Sequence, residues 1–174
     1  MDILYFIIFN FIIYSFLGWI IEEIYCFTIN RTFKKSGFLR GPIKPMYGIA
    51  MTTLVLCYYV FMIRGIFMAI LFFIIPSTVE YVSAYLMKRV FNEVYWRYDR
   101  LKFNINGYVC LKFSLYWMFL SFVGVHYFQP VLNNFYIIMD DGYLKVITIS
   151  ITMLSVLDFI LKVKEQRLKL YLNE

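Results

Sequence analysis

The sequence predicts an all-α polytopic membrane protein of about five transmembrane helices, and three observations carry that prediction. Hydrophobic residues make up 62% and aromatic residues 22% of the 174-residue chain, and mean hydropathy is +0.70, far too apolar for a soluble domain of this size. Five apolar segments are long enough to span a hydrocarbon core of about 30 Å at about 1.5 Å per residue. Basic residues gather after the first, third and fifth of these segments and are scarce at the opposite ends.

The first helix is read over residues 3–29. No basic stretch precedes it and no small-residue cleavage site follows before Glu22, so a permanent helix is expected rather than a signal peptide. The loop after it carries Arg31, Lys34, Lys35, Arg40 and Lys44 and ends in Gly41-Pro42-Ile43-Lys44-Pro45. Its two prolines fix the backbone and let a second helix, 46–62, start directly after Pro45. That loop is either a tight reversal that positions helix two or a rigid surface that docks a partner or caps a cavity. The third helix is read over 66–87, with Pro76 inside it. Between Arg89 and Asn106, charges alternate with Phe91, Tyr95, Trp96, Tyr98 and Phe103, the pattern of a segment lying among lipid headgroups. A fourth helix is expected over 108–128 and a polar outer loop over 129–142, where Asp140-Asp141-Gly142 reads as a turn. The fifth helix covers 143–161, and Lys162, Lys164, Arg167 and Lys169 follow it.

With this order, 15 of the 17 basic residues fall on one side of the membrane, and only Arg64 and Lys145 on the other. Short cytoplasmic loops collect Lys and Arg, so the amino terminus is expected outside and the carboxyl terminus in the cytoplasm of a multi-pass cell-membrane protein. The net charge of +6 then reflects topology and anionic headgroups, with the lipid bilayer as partner and no nucleic acid. The chain reads as one integral membrane domain, 1–174, without linker or low-complexity tract. It has no Gly-rich phosphate loop, so any ATPase would be a separate polypeptide. Neither a Ser/His/Asp set nor metal-ligand spacing among Cys26, Cys57 and Cys110 is visible, so no metal and no cofactor are expected, and whether the chain is an enzyme stays open.

Two acids interrupt the apolar runs. Glu22 lies nine residues before Arg31 and Glu80 eight before Lys88, so on parallel helices both occupy the same depth in the cytoplasmic leaflet. An ionisable group within a membrane is a functional-site hypothesis by default. Glu23 points about 100° away from Glu22 around the helix, so only one of the pair faces Glu80. Tyr108, Lys112, Ser114 and Trp117 of helix four fall in the same half. Lys112 either neutralises a carboxylate or snorkels to the interface, and its place five residues after Gly107 favours snorkelling. Asp158 reads as a helix-end interfacial charge, and His126, near the opposite end of helix four, is no partner for the glutamates. Two carboxylates at one depth suit proton or cation coupling, ammonium recognition or acid/base work.

Four separated motifs then resemble a known family. They are Gly18-Trp19-Ile20-Ile21-Glu22; Gly37-Phe38-Leu39-Arg40-Gly41-Pro42 with Pro45-Met46-Tyr47-Gly48; Glu80-Tyr81; and Trp96 to Gly107 followed by Cys110-Leu111 and Ser114 to Trp117. In this order they resemble the CmpB-type ABC-transporter permease family over about residues 14–120. The chain departs from the family's usual Trp-Asp-Tyr with Trp96-Arg97-Tyr98, and from its frequent Gly-Arg with Gly107-Tyr108. The resemblance implies a multipass membrane protein with functional acids at Glu22 and Glu80, and draws Trp19, Tyr47, Trp96 and Asn106 into the candidate site.

The first expectation is a small transporter or permease-like protein whose cytoplasmic-leaflet cavity binds a cationic or protonated group through Glu22 and Glu80, with Trp19, Tyr47, Tyr108, Lys112 and Trp117 around them. Gly41, Pro42, Pro45, Trp96, Asn106 and Gly107 would shape the adjoining loops. Five helices make a thin wall, so a homo-oligomer or a separate partner subunit is expected. Two alternatives are a membrane-embedded enzyme acting on a lipid or lipid-linked substrate, and a noncatalytic adaptor whose loops dock a cytoplasmic protein.

Overall fold

The computed structural model describes residues 3–31, 37–138 and 141–172, so Lys34, Lys35 and Asp140 lie outside the described residues. The architecture is all-α apart from one two-stranded hairpin. In chain order it comprises α1 (Ile3–Asn30), α2 (Pro45–Val55) continued by a π turn (Leu56–Val60), α3 (Gly65–Phe91), β1 (Asn104–Ile105), β2 (Val109–Cys110), α4 (Leu111–Val123), a second π turn (Gly124–Phe128), α5 (Gln129–Ile138) and α6 (Asp141–Leu172). Three helices, Ile3–Ile29, Gly65–Phe91 and Gly142–Lys169, are long and apolar enough to cross a membrane, and Pro45–Val60 is a shorter apolar helix.

Local chemistry sets the ends. Lys44 precedes a proline and is extended, at φ −121° and ψ 95°, and Pro45 opens α2 where its missing N–H costs nothing. α3 begins at Gly65, with φ +61°, and ends on left-handed Asn92. Lys88 and Arg89 in its last turn face the negative end of the helix dipole. Pro76 removes one backbone donor inside α3, and one residue on, Ser77 Oγ donates to the Phe73 carbonyl at 2.7 Å.

The fourth segment departs from expectation at both ends. Helix starts at Leu111 instead of 108, because Asn106 and Gly107, with φ +53° and +70°, are the central residues of a turn closed by the Tyr108 amide on the Ile105 carbonyl at 3.0 Å, inside a hairpin that pairs Asn104 with Cys110 and Ile105 with Val109. Asn-Gly is the pair that favours such turns. Beyond 128 the chain stays helical to Ile138, so the expected outer loop is mostly α5. Its polar residues serve the helix: Tyr14 donates to Gln129 Oε1 at 2.7 Å, and Gln129 Nε2 donates to Asn133 at 2.8 Å. The last helix likewise continues past 161 to Leu172, and Glu165 there bonds Lys162 and Lys169 at helical spacing.

Packing centres on α1 and α2, whose backbones approach closely at two glycines. A Cβ on Gly18 would overlap the Tyr47 ring, and one on Gly48 would sit 2.6 Å from the Phe11 carbonyl oxygen. Leu54, Val55, Met68, Phe72 and Val125 form the main core, and Tyr5, Phe9, Tyr136 and Leu144 a second one where α1, α5 and α6 meet. The proline loop is held by Phe38, whose ring lies 4.9 Å from Phe91 and 5.9 Å from Phe159.

Candidate functional site

Glu22 of α1 and Glu80 of α3 line one cavity of about 440 Å³, together with Tyr47, Trp96, Tyr98 and Trp117. Four elements and a loop converge there for identifiable reasons. The two-proline loop reverses the chain so that Lys44 and Tyr47 return against α1. The Lys44 amide donates to the Ser15 carbonyl at 3.1 Å, which registers the start of α2 on the middle of α1. The Asn106-Gly107 turn folds the hairpin back on the preceding loop, where the Tyr98 amide donates to the Gly107 carbonyl at 2.8 Å and Trp96 Nε1 to the Tyr108 carbonyl at 3.1 Å. Trp96 and Tyr98 are thereby directed into the cavity, where the alternation of charge and aromatics suggested a flat interfacial segment.

The two carboxyl groups are held differently. Glu22 forms an ion pair with Lys44 and accepts a hydrogen bond from the Tyr47 hydroxyl at 3.1 Å. Lys44 is almost closed off, with 8% of its side chain accessible against 25% for Glu22. Glu80 is 2% exposed and accepts from the Tyr98 hydroxyl at 2.9 Å on Oε1. Its Oε2 is buried without a hydrogen-bond partner. The Trp117 indole N–H is turned toward this carboxyl but falls outside hydrogen-bonding geometry, and Nε1 is likewise buried without a partner. Tyr98, in the loop, stacks on Phe113 at 4.7 Å. Burial first, then the Glu80 carboxyl beside it, push its phenol far above the usual range, so it remains a donor.

Below Glu80 lies a second cavity of about 240 Å³, walled by Leu17, Ala50, Met51, Val79, Val123 and other apolar groups. Tyr47, Glu80 and Trp117 line both cavities and mark their junction. A third, of about 150 Å³, sits under the proline loop against Glu22, Gly41 and Lys44.

Several expected site residues stand elsewhere. Trp19 stacks on Phe16 at 5.9 Å and is outside the residues lining either cavity at Glu80, although it lies one turn before Glu22 on α1. The Tyr108 ring packs on Tyr81 at 5.6 Å, since the hairpin turn delays the start of α4 and keeps this residue outside the helix. Lys112 is exposed, with Nζ 5.9 Å from the Tyr116 ring, and the cation paired with Glu22 is Lys44. Glu23 does not line the cavity, and its Oε1 is buried without a partner. His126 packs among Tyr58, Phe72 and Phe122.

The loop residues act through backbone geometry. The Gly41 and Arg40 amides both donate to Asp158 Oδ2 at 2.9 Å. Asp158 is therefore a receptor for the two donors preceding Pro42, in place of the helix-end surface charge expected from Lys162 one turn on. Pro42 walls a recess between this loop and α6. Asn106 Nδ2 donates to the Tyr81 hydroxyl at 2.8 Å, and Gly107 N to Asn104 Oδ1 at 3.1 Å. Arg97 pairs with Asp99 at 2.9 Å. Lys44, Tyr98 and Asp158 were the functional contacts missed from sequence; only Asn-Gly, by marking a hairpin that folds Tyr98 inward, offered a usable signal. Among the described residues no cluster of three or more His, Cys, Asp or Glu side chains is placed to hold a metal.

No curated protein and no solved structure matches the chain. The profile of the CmpB family, described as "Putative ABC-transporter type IV", matches residues 9–163, which include every element of the cavity. With that match over most of its length and three helices fit to cross a membrane, the chain belongs to this family of transporter-like membrane proteins.

Proposed function

We propose that the chain is a small multi-pass transporter of the cell membrane whose Glu22–Glu80 cavity binds a cationic or protonated group. In this reading α2 with its π turn, and the continuous rod from α4 to α5, cross the membrane alongside α1, α3 and α6. The amino terminus is outside, the basic loops and carboxyl terminus are cytoplasmic, and the whole chain acts as one domain. Five rods leave little wall for a path, so the working unit is a homo-oligomer or includes a partner subunit. The observation that carries the reading is the buried, unpartnered Oε2 of Glu80, a residue 2% exposed that lines one cavity with Tyr47, Tyr98 and Trp117. Aromatic faces and an acceptor together suit an ammonium group.

The test is binding and uptake of short alkylammonium ions by protein in proteoliposomes, with Glu80→Gln as the variant. Saturable binding lost in an assembled Glu80→Gln protein supports the reading. Unaltered binding overturns it. Cysteines placed along the cavity should label from both faces for transport. A second reading draws on the Tyr98 hydroxyl bonded to Glu80: a phenol beside a carboxyl is also an acid/base arrangement for a lipid-linked substrate. It requires labelling from one face only and turnover that fails in Glu80→Gln.

A further inference from the structure

The two cavities at Glu80 differ in character, and the difference specifies a ligand. The larger one carries the polar groups: Glu22, Arg97 and Tyr98 with the shared Glu80, Tyr47 and Trp117. The smaller, about 240 Å³, leads away from Glu80 past Leu17, Ala50, Met51, Val79 and Val123 toward the π turn at Gly124. Its only carboxyl is Glu80, at the junction. An apolar space of this kind gives water too few partners to hold it, and one left empty deprives its walls of dispersion contacts. A closed core would be expected to collapse around such a void. Here α1 and α2 already meet closely where Gly48 lies against Phe11, and Gly124 lies against Met51, so the backbone contacts beside the cavity are made while the space remains.

From this we propose that the ligand is a single-tailed amphiphilic amine, with its ammonium group on Glu80 Oε2 among Tyr47, Tyr98 and Trp117 and its alkyl tail in the apolar cavity. The inference rests on the cation-binding reading above and adds the tail. The head is chosen by the buried, unpartnered carboxyl oxygen and the aromatic faces around it. The tail is chosen by walls that beyond the junction are apolar apart from Ser121 and Tyr14, whose hydroxyl is already bonded to Gln129. A hydrophilic cation would leave that space unfilled, and a fatty acid would set a carboxylate against Glu80.

The experiment uses the full chain in nanodiscs and the primary alkylammonium ions from ethyl to dodecyl, with the matching alcohols as neutral probes, followed by tryptophan fluorescence. Affinity is expected to rise by roughly fourfold per methylene, then to stop rising once the cavity is full. A limit in chain length marks a walled cavity, since simple partition into the bilayer keeps increasing. Ala50→Leu, which fills part of the tail space, should move that limit to shorter chains. Glu80→Gln should remove the preference for amines over alcohols at every length. If short amines bind through Glu80 but length adds nothing, or if Ala50→Leu leaves the limit where it was, the tail assignment is overturned and the cation site stands. If alcohols bind as well as amines in the wild-type protein, the head assignment is overturned. If no amine binds in a Glu80-dependent way, the inference and the reading beneath it both fall.

Discussion

Separating the charges of Glu22 and Lys44 should cost stability unequally, and the inequality follows from their exposure. In Glu22→Gln the Lys44 ammonium stays in a position only 8% accessible, beside an amide where a carboxylate stood. Removing one partner of a buried pair costs about 3–5 kcal/mol, and because the amide carbonyl still accepts, the lower end applies, about 3 kcal/mol. In Lys44→Met the remaining carboxylate is 25% accessible and still accepts from Tyr47 at 3.1 Å. That loss should be smaller, about 2 kcal/mol. For a chain of this size each kcal/mol lowers Tm by about 2–4 °C, giving about 6–12 °C for Glu22→Gln and about 4–8 °C for Lys44→Met. The double variant removes both charges of the pair and should melt above Glu22→Gln. The assay is thermal unfolding followed by intrinsic fluorescence in one detergent, read as a double-mutant cycle. Additive losses, or a Glu22→Gln protein melting within about 2 °C of wild type, would refute the reasoning.

Tyr98→Phe removes the hydroxyl that serves Glu80 Oε1 and should cost about 1–3 kcal/mol, with the loss absent when made on a Glu80→Met background; melting temperatures of the four proteins check this. Gly48→Ala and Gly18→Ala should each lower Tm, at about 1–3 kcal/mol, because the new Cβ meets the Phe11 carbonyl oxygen at 2.6 Å in one and Tyr47 Cβ, which no ring rotation moves, at 2.5 Å in the other. Gly107→Ala strains a φ of +70° and presses on Asp99, at about 1–2 kcal/mol, and should speed tryptic cleavage at Arg97 and Arg100. Asp158→Ala leaves the Arg40 and Gly41 amides without their acceptor and should speed cleavage after Arg40 in the folded protein, where an unchanged rate would show that Phe38 alone holds the loop.

Much of the helical framework was legible because apolar length and basic punctuation are one-dimensional signals. The first three helices begin and end within a few residues of the apolar boundaries. Helix ends beyond those boundaries were not legible: α5 and the last turns of α6 contain polar residues that pair with each other at helical spacing, which hydropathy scores as loop. Counting to the next cation placed Glu22 and Glu80 at one depth, and both line one cavity. Counting could not identify Lys44 over Lys112, because that choice depends on how two prolines turn the chain. Nor could it bring in Tyr98, whose position depends on a hairpin closed by Asn106 and Gly107, twenty-six residues beyond Glu80 at their nearer end.

The pairing also shows why two acids equal in a residue count are unequal in chemistry. Glu22 has a cation and a phenol in place, so any positive ligand that engages it must displace Lys44, whose backbone amide is bonded to Ser15 and whose side chain is nearly closed off. Glu80 offers an oxygen that displaces nothing. On the proposed reading a ligand cation would therefore meet Glu80 first, with Glu22 as the anchor that fixes α2 against α1 and keeps Tyr47 at the cavity junction. On that reading occupancy at Glu80 would act on Tyr98, and through its stack on Phe113 on α4, while the Glu22–Lys44 side stays clamped. Movement on binding is accordingly expected in the hairpin loop and α4, with the α1–α2 pair as the fixed frame.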